Sequence, residues 1–349
     1  MEKTRRSFLK KTLAASLALT ACGLEEHQTY GRKKLHAGVG NTLGACTINT
    51  RNDDQMDIFS TDITQPVKLI LIADTHLWMS DGREDPYRQY SGRMTKAYNK
   101  TKHFRTLAPT HPCEQFEKTM DMVRDARPDA LFLLGDIVSY PSEAAIEWAK
   151  EQLDRTGVNY YYISGNHDWH YEGMAGTEID LRAEWTQKRL APLYRGHNPL
   201  VYNVNIKGVN IIMLDNSTYE ILPEQLDFFR REVRRNRPTL LMSHCPLYAP
   251  GFPLSYGCGH PEWNASTDRN YKIERRPQWP AEGHKPETYD FWNETIEASQ
   301  KHHLLATFAG HVHRQSSSAV NGWKQYTLKP NYSGAYLEVH LNPMPQKKS

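Results

Sequence analysis

The 349-residue sequence has no C-x-x-C pair, no internal repeat, no marked excess of one charge, and no later run apolar enough to cross a membrane. The missing C-x-x-C spacing argues against a structural zinc site, although five cysteines are present. The missing repeat argues against a solenoid. Forty-three Lys and Arg face 40 Asp and Glu, giving a formal charge of +3. Lys3, Arg5, Arg6, Lys10 and Lys11 against Glu2 more than account for that surplus, so the remainder is close to neutral. No stable nucleic-acid partner is expected from such a balance. What is left is an ordinary globular composition, sized for one large domain or two small ones.

The N-terminus reads as an address. Thr4-Arg5-Arg6-Ser7-Phe8-Leu9-Lys10 resembles the twin-arginine export signal, and the apolar stretch Thr12–Ala21 is too short to span a bilayer. Leu19-Thr20-Ala21-Cys22 resembles a bacterial lipobox. The resemblance implies a signal peptide at 1–21, export in the folded state, and a membrane tether through lipid on Cys22. The product is expected to be a periplasmic or cell-surface lipoprotein. An exported chain can form disulfides, and Cys245 with Cys258 is conceivable, but spacing does not fix connectivity. Residues 22–65 lack sustained periodicity and read as a tether, with a short strand around Met56–Ile63.

From residue 66 the pattern changes. Val67–Ala73, Ala130–Leu134, Tyr160–Ile163, Leu240–Met242 and Leu304–Phe308 are short apolar runs, as buried strands require. Between them Phe116, Met120 and Val123 share a helical face, as do Ile146, Ala149 and Leu153, then Leu226, Phe229 and Val233. Strands alternating with helices predict an α/β fold. Leu200–Leu214 and Trp323–Leu341 add period-two stretches expected to be antiparallel, more strand than one parallel sheet needs. Two packed sheets are therefore expected.

The five buried runs end alike. They finish in Asp74-Thr75-His76, Gly135-Asp136, Gly165-Asn166-His167-Asp168, Ser243-His244 and Gly310-His311-Val312-His313. A core has no use for such groups, because each buried polar group needs a partner or costs free energy. Open α/β sheets gather ligands at these strand ends. Asp74 with His76, and His311 with His313, are two residues apart, which in an extended segment places both side chains on one side. Imidazole and carboxylate without thiolate suit Mn, Fe, Zn or Co, and a carboxylate such as Asp136 can bridge two divalent ions. Two such ions lower the pKa of a shared water and clamp attacking and leaving oxygens, the machinery of phosphoester hydrolysis.

In this order the five blocks resemble the signature of the calcineurin-like metallophosphoesterases. The resemblance spans residues 67–314 as motifs. It implies a catalytic domain at 66–349, built as a four-layer α/β/β/α sandwich of two mixed β-sheets flanked by helices. It implies Asp74, His76, Asp136 and His313 on one metal, with Asp136, Asn166, His244 and His311 on the other. A metal-bridging hydroxide would attack phosphorus, and His167 would protonate the leaving oxygen with Asp168 holding its ring. Asp168 could instead merely cap a turn. The purple acid phosphatases share part of this signature, but they use a Tyr where Ser139 stands and lack the histidine found here at His76.

Two inserts follow ligand blocks. Residues 78–112 carry basic and tyrosine side chains that could steer a phosphate, or form a solvated helix around Met94–Leu107. Residues 246–287 are rich in aromatics, among them Tyr248, Phe252, Tyr256, Trp263, Tyr271 and Trp279, and are expected to contact substrate in preference to forming a satellite core. His170, His302 and His303 read as surface residues. The expected substrate is a small-molecule, nucleotide or sugar phosphoester, monoester or diester. The alternative is a ligand-binding surface lipoprotein that reuses the scaffold without turnover.

Overall fold

The computed structural model describes residues 44–98, 100–253, 257–264 and 283–345. The expectations for residues 1–21, Cys22, Tyr256, Tyr271 and Trp279 lie outside the described residues. In chain order the strands are β1 (Cys46–Asn52), β2 (Gln55–Ser60), β3 (Val67–Ile72), β4 (Thr101–Lys102), β5 (Pro109–Thr110), β6 (Ala130–Leu134) and β7 (Tyr160–Ile163). They continue as β8 (Val201–Ile206), β9 (Val209–Leu214), β10 (Thr239–Met242), β11 (Leu304–Ala309), β12 (Ser316–Val320), β13 (Trp323–Thr327) and β14 (Leu337–Pro343). The longer helices are α1 (Pro112–Ala126), α2 (Glu143–Arg155), α3 (Glu178–Trp185), α4 (Pro223–Val233) and α5 (Pro286–Lys301).

Two six-stranded mixed sheets result, ordered β1-β2-β14-β3-β6-β7 and β12-β13-β11-β10-β9-β8. β3, β6 and β7 run parallel in the first; β9, β10, β11 and β13 run parallel in the second. Alternation along single strands shows how they stack. Ile70, Ile72, Leu131 and Leu133 pack with Phe116, Met120 and Val123 of α1 and Ile146, Ala149 and Leu153 of α2. Their neighbours Leu69, Leu71, Phe132 and Leu134 point the other way, onto Ile211, Met213, Leu240, Met242 and Phe308 of the second sheet. Ile212, Leu214 and Leu241 then face Leu226, Phe229 and Val233 of α4 and Phe291 of α5. This is the four-layer sandwich expected. Each fully buried Leu, Ile or Phe in it contributes about 1.5–3 kcal/mol through removal from water.

Several expectations need correction. Residues 46–52, assigned above to a tether, form β1, whereas the short strand expected around Met56–Ile63 is present as β2, which lies beside β14 inside the first sheet. The outward positions of β1 are polar and exposed, which hides an edge strand from an apolar-run criterion. Trp323–Leu341 is divided between the sheets: β13 pairs antiparallel with β12, whereas β14 pairs antiparallel with β3. Among the described residues of 94–107 only Met94–Ala97 is helical, and β4 and β5 form a two-stranded ribbon. Leu107 adopts φ 57°, which a helix does not tolerate. Cys245 and Cys258, whose pairing was conceivable, are both buried and form no disulfide with each other. His170 and His303 are buried, and His303 Nδ1 lies 2.6 Å from the Asp62 carboxylate. Trp263 is stacked between Tyr219 and His284 in the outer core of the second sheet, so a satellite core, and not substrate contact, describes it.

Candidate metal centre

The parallel strands of both sheets deliver their C-terminal ends to one place, and backbone hydrogen bonds lock those ends together. Asp74 N donates to Gly135 O at 3.0 Å and His76 N to Asp136 O at 2.9 Å, tying the β3 end to the β6 end. Gly310 N donates to His244 O at 2.9 Å, tying β11 to β10. The chain then turns sharply. Asp74, His76, Asp136, His311 and His313 all have positive φ, between 51° and 70°. The extended spacing expected for the two pairs is therefore wrong; left-handed turns aim these side chains. Such a conformation costs roughly 1–3 kcal/mol per residue and persists only where the surroundings impose it.

Glycine makes the approach possible. A Cβ on Gly165 would stand 2.2 Å from Asp136 Oδ1, and one on Gly310 would stand 2.8 Å from Asp74 Oδ2.

Two groups of donors form. One ligand atom each from Asp74, His76, Asp136 and His313 lies within 4.8 Å of all the others, and so do atoms of His244, Cys245 and His311. Asp136 stands between the groups: its Oδ2 is 3.8 Å from His76 Nε2 and 3.2 Å from His244 Nε2. Asn166 Oδ1 is 3.1 Å from His311 Nδ1. All seven residues expected as ligands thus converge, and Cys245 joins them unexpectedly. Asp74, His76, Asp136, Asn166 and His244 are buried, whereas His167, His311 and His313 lie on the more open side.

The donor atoms suit cations. His76 Nε2 and His313 Nε2 approach to 3.0 Å. Two imidazoles at about 2.1 Å from a common ion, near a right angle, sit about 3 Å apart. His244 donates through Nδ1–H to Leu134 O, 2.8 Å away, which turns its buried Nε2 inward beside Asp136 Oδ2. Fixing one ring nitrogen on a carbonyl is how proteins orient a ligating imidazole. Burial holds the His76 imidazole well below its ordinary pKa, against the pull of Asp136, and does the same to His311. Neutral rings are the ligating form. At Asp136 burial favours the acid, but His244, His167 and His76 prevail and hold the carboxyl well below its usual range.

Asp168 departs from its expected role. Its carboxylate accepts from Gly165 N at 2.7 Å, Val138 N at 2.8 Å and Asp136 N at 2.9 Å. It clamps the backbone of two ligand loops, and the turn-capping alternative describes it. Burial and the neighbouring Asp136 raise its pKa to about 7. The His167 ring meets the Ser139 carbonyl through Nδ1 at 3.2 Å, while its backbone N–H donates to Asp136 Oδ1 at 2.8 Å.

Residues 67–315, more than half of the chain, match the family model of the calcineurin-like phosphoesterases. The chain belongs to that family. Among solved structures it is similar to a dimetal phosphatase from Danio rerio, at 12% identity and a TM-score of 0.47, over 76% of this chain and 88% of that one. It is also similar to a purple acid phosphatase from yellow lupin (Lupinus luteus) seeds, at 12% identity and a TM-score of 0.45, over 84% of this chain and 49% of that one. A putative 5′-nucleotidase from Staphylococcus aureus gives 12% identity and a TM-score of 0.40, over 77% and 49%. Against curated protein sequences there is no match.

This calcineurin-like phosphoesterase surrounds its donors with residues not singled out from sequence. Tyr219 Oη is 2.6 Å from His311 Nε2, leaving Nδ1 to face Asn166. Asn216 Oδ1 accepts from His244 N and Cys245 N, at 3.2 and 2.9 Å, and so shapes the β10 turn. Tyr98, from the first insert, stacks on His76 with ring centroids 3.9 Å apart, and Tyr332 lies 5.4 Å from His313. A signal for two of these was present: Leu214 is followed by Asp215-Asn216-Ser217-Thr218-Tyr219, a sixth apolar run with a polar end.

Proposed function

We propose that this chain is a metal-dependent hydrolase of phosphoesters that works with two divalent cations and is exported and lipid-anchored. The observation that carries the reading is the position of Asp136 between two donor groups, within 3.8 Å of a nitrogen in each. Asp74, His76 and His313 would complete one cation's set, and Asn166, His244 and His311 the other's, with Asp136 shared. Mn, Fe, Zn or Co fits donors of this kind. The cations supply Lewis-acid charge against the phosphoryl oxygens.

The remaining work falls to the chain's own groups. His167 is on the more open side, and its Nδ1–H donates to the Ser139 carbonyl at 3.2 Å, which orients the ring. It is placed to hand a proton to the departing alcohol. Asp168 serves as a positioning residue: by gathering three amides it fixes Asp136 and Gly165. Tyr219 holds the His311 ring, and Tyr98 covers His76. Monoesters and diesters both remain within this chemistry. The export and anchoring part rests on Arg5-Arg6 and Leu19–Cys22, and on nothing in the folded domain.

The test is turnover of p-nitrophenyl phosphate and its bis-ester by protein loaded with each of the four metals, beside Asp136→Asn. Wild-type turnover that the substitution abolishes is expected. No turnover with any metal, or turnover that survives Asp136→Asn, would sink the assignment. Labelled palmitate should enter the wild-type chain and not Cys22→Ser.

A further inference from the structure

Beside the first donor group lies a cavity of about 530 Å³ that the hydrolytic reading does not use. Lys102, Phe104, Arg314, Lys329 and Tyr332 wall it, and His313 connects it to the candidate metal centre. Among the described residues that line it are Lys102, Arg314 and Lys329 and one carboxylate, Asp53, whose side chain is mostly exposed and lies 2.6 Å from Lys329 Nζ. The mount is firm. Phe104 N donates to Ser333 O at 3.0 Å, which pins the β4–β5 ribbon to the turn carrying Tyr332. The Phe104 ring supports Lys329 Nζ at 5.5 Å and the Arg105 guanidinium at 5.0 Å. Cations held over one ring are oriented without the entropy loss of free lysines.

We propose that this cavity binds a second phosphate group of the substrate, so that the preferred substrate is a phosphoester whose alcohol portion carries another phosphate. The inference rests on the phosphoesterase reading for the place of the scissile group. The volume falls in the range of small-molecule sites, about 300–1,000 Å³. Lys102 and Lys329 share its lining with His313. The first insert contributes Lys102 and Phe104 to this wall. Asp53 competes with the incoming phosphate for Lys329.

Isothermal titration on the full metal-loaded chain tests this with alkanediol bisphosphates of three to six carbons against the matching alkyl monophosphates. The bisphosphate of best-fitting length should bind about tenfold tighter, the size that two or three partly exposed charge pairs supply. Lys102→Ala with Lys329→Ala should bring that ratio to about one, and Asp53→Asn should enlarge it. Opposite signs from Lys329 and Asp53 are not what a merely structural role gives. Equal wild-type affinity for bisphosphate and monophosphate overturns the proposal, as does a double variant that weakens both alike. Titration reads the cavity even if p-nitrophenyl phosphate is not turned over, so failure of the hydrolase reading stays separate.

Discussion

At the scale of single residues, the roles of His167, Asp168 and Gly165 are separable. His167→Gln should retain its metals and lose roughly 10²–10⁴ in kcat, with the smallest loss on p-nitrophenyl esters, whose leaving group needs no proton. Steady-state kinetics on aryl and alkyl phosphates check this; an equal loss on both speaks against the acid role. Gly165→Ala acts differently, because its methyl would occupy space 2.2 Å from Asp136 Oδ1. It should deplete bound metal while the circular dichroism spectrum keeps its native shape. These residues were legible because apolar runs ending in His, Asp and Asn are unusual. Tyr219 and Asn216 followed the same rule at the end of β9 but carry no block that stands out. Tyr98 was legible only as one tyrosine of an insert expected near the site, since its place over His76 depends on the path of an irregular segment. Asp168 was assigned to the wrong neighbour because adjacency in sequence says nothing of where a carboxylate turns.

At the scale of elements, the strands buried on both faces were readable and the edges were not. β3, β6, β7, β10 and β11 are nearly all apolar because helices cover one side and the opposite sheet the other. β1 and β12 expose alternate positions, and CTINTRN and SSSAV offer no apolar run. The segments after β3 and β11 were expected to be extended and turn left-handed at Asp74, His76, His311 and His313, a conformation that spacing alone does not reveal. β6 is the structural centre of these elements. Phe132, fully buried between the sheets, stacks on Tyr161 at 5.3 Å. Phe132→Ala should cost about 3–5 kcal/mol, read from urea unfolding of the metal-free protein. A cost below about 1 kcal/mol would mean that the inter-sheet layer is loosely packed.

At the scale of the whole molecule, cation binding and folding are linked. Binding to the native state alone stabilises by about 2.7 kcal/mol at a hundredfold excess over Kd. For a domain of about 300 residues that corresponds to a Tm rise of about 4 °C. Chelator treatment should therefore lower Tm by that amount, and readdition of metal should restore it. Asp136→Asn should show little response to chelator, because its donor groups no longer share a carboxylate. Two packed sheets with helices were legible from strand and helix order, and the four-layer sandwich from the family resemblance. The cavity beside His313 was not, because Lys102, Arg314 and Lys329 come from three separate segments.

The most direct test of the central claim is the number of metal ions per chain, measured by elemental analysis of the purified protein with and without Asp136→Asn. About two ions per wild-type chain are expected, falling below one in the variant, since one side chain serves both positions. A wild-type chain that takes up no metal, or a variant that keeps both ions, would contradict a shared carboxylate at the meeting point of the two sheets.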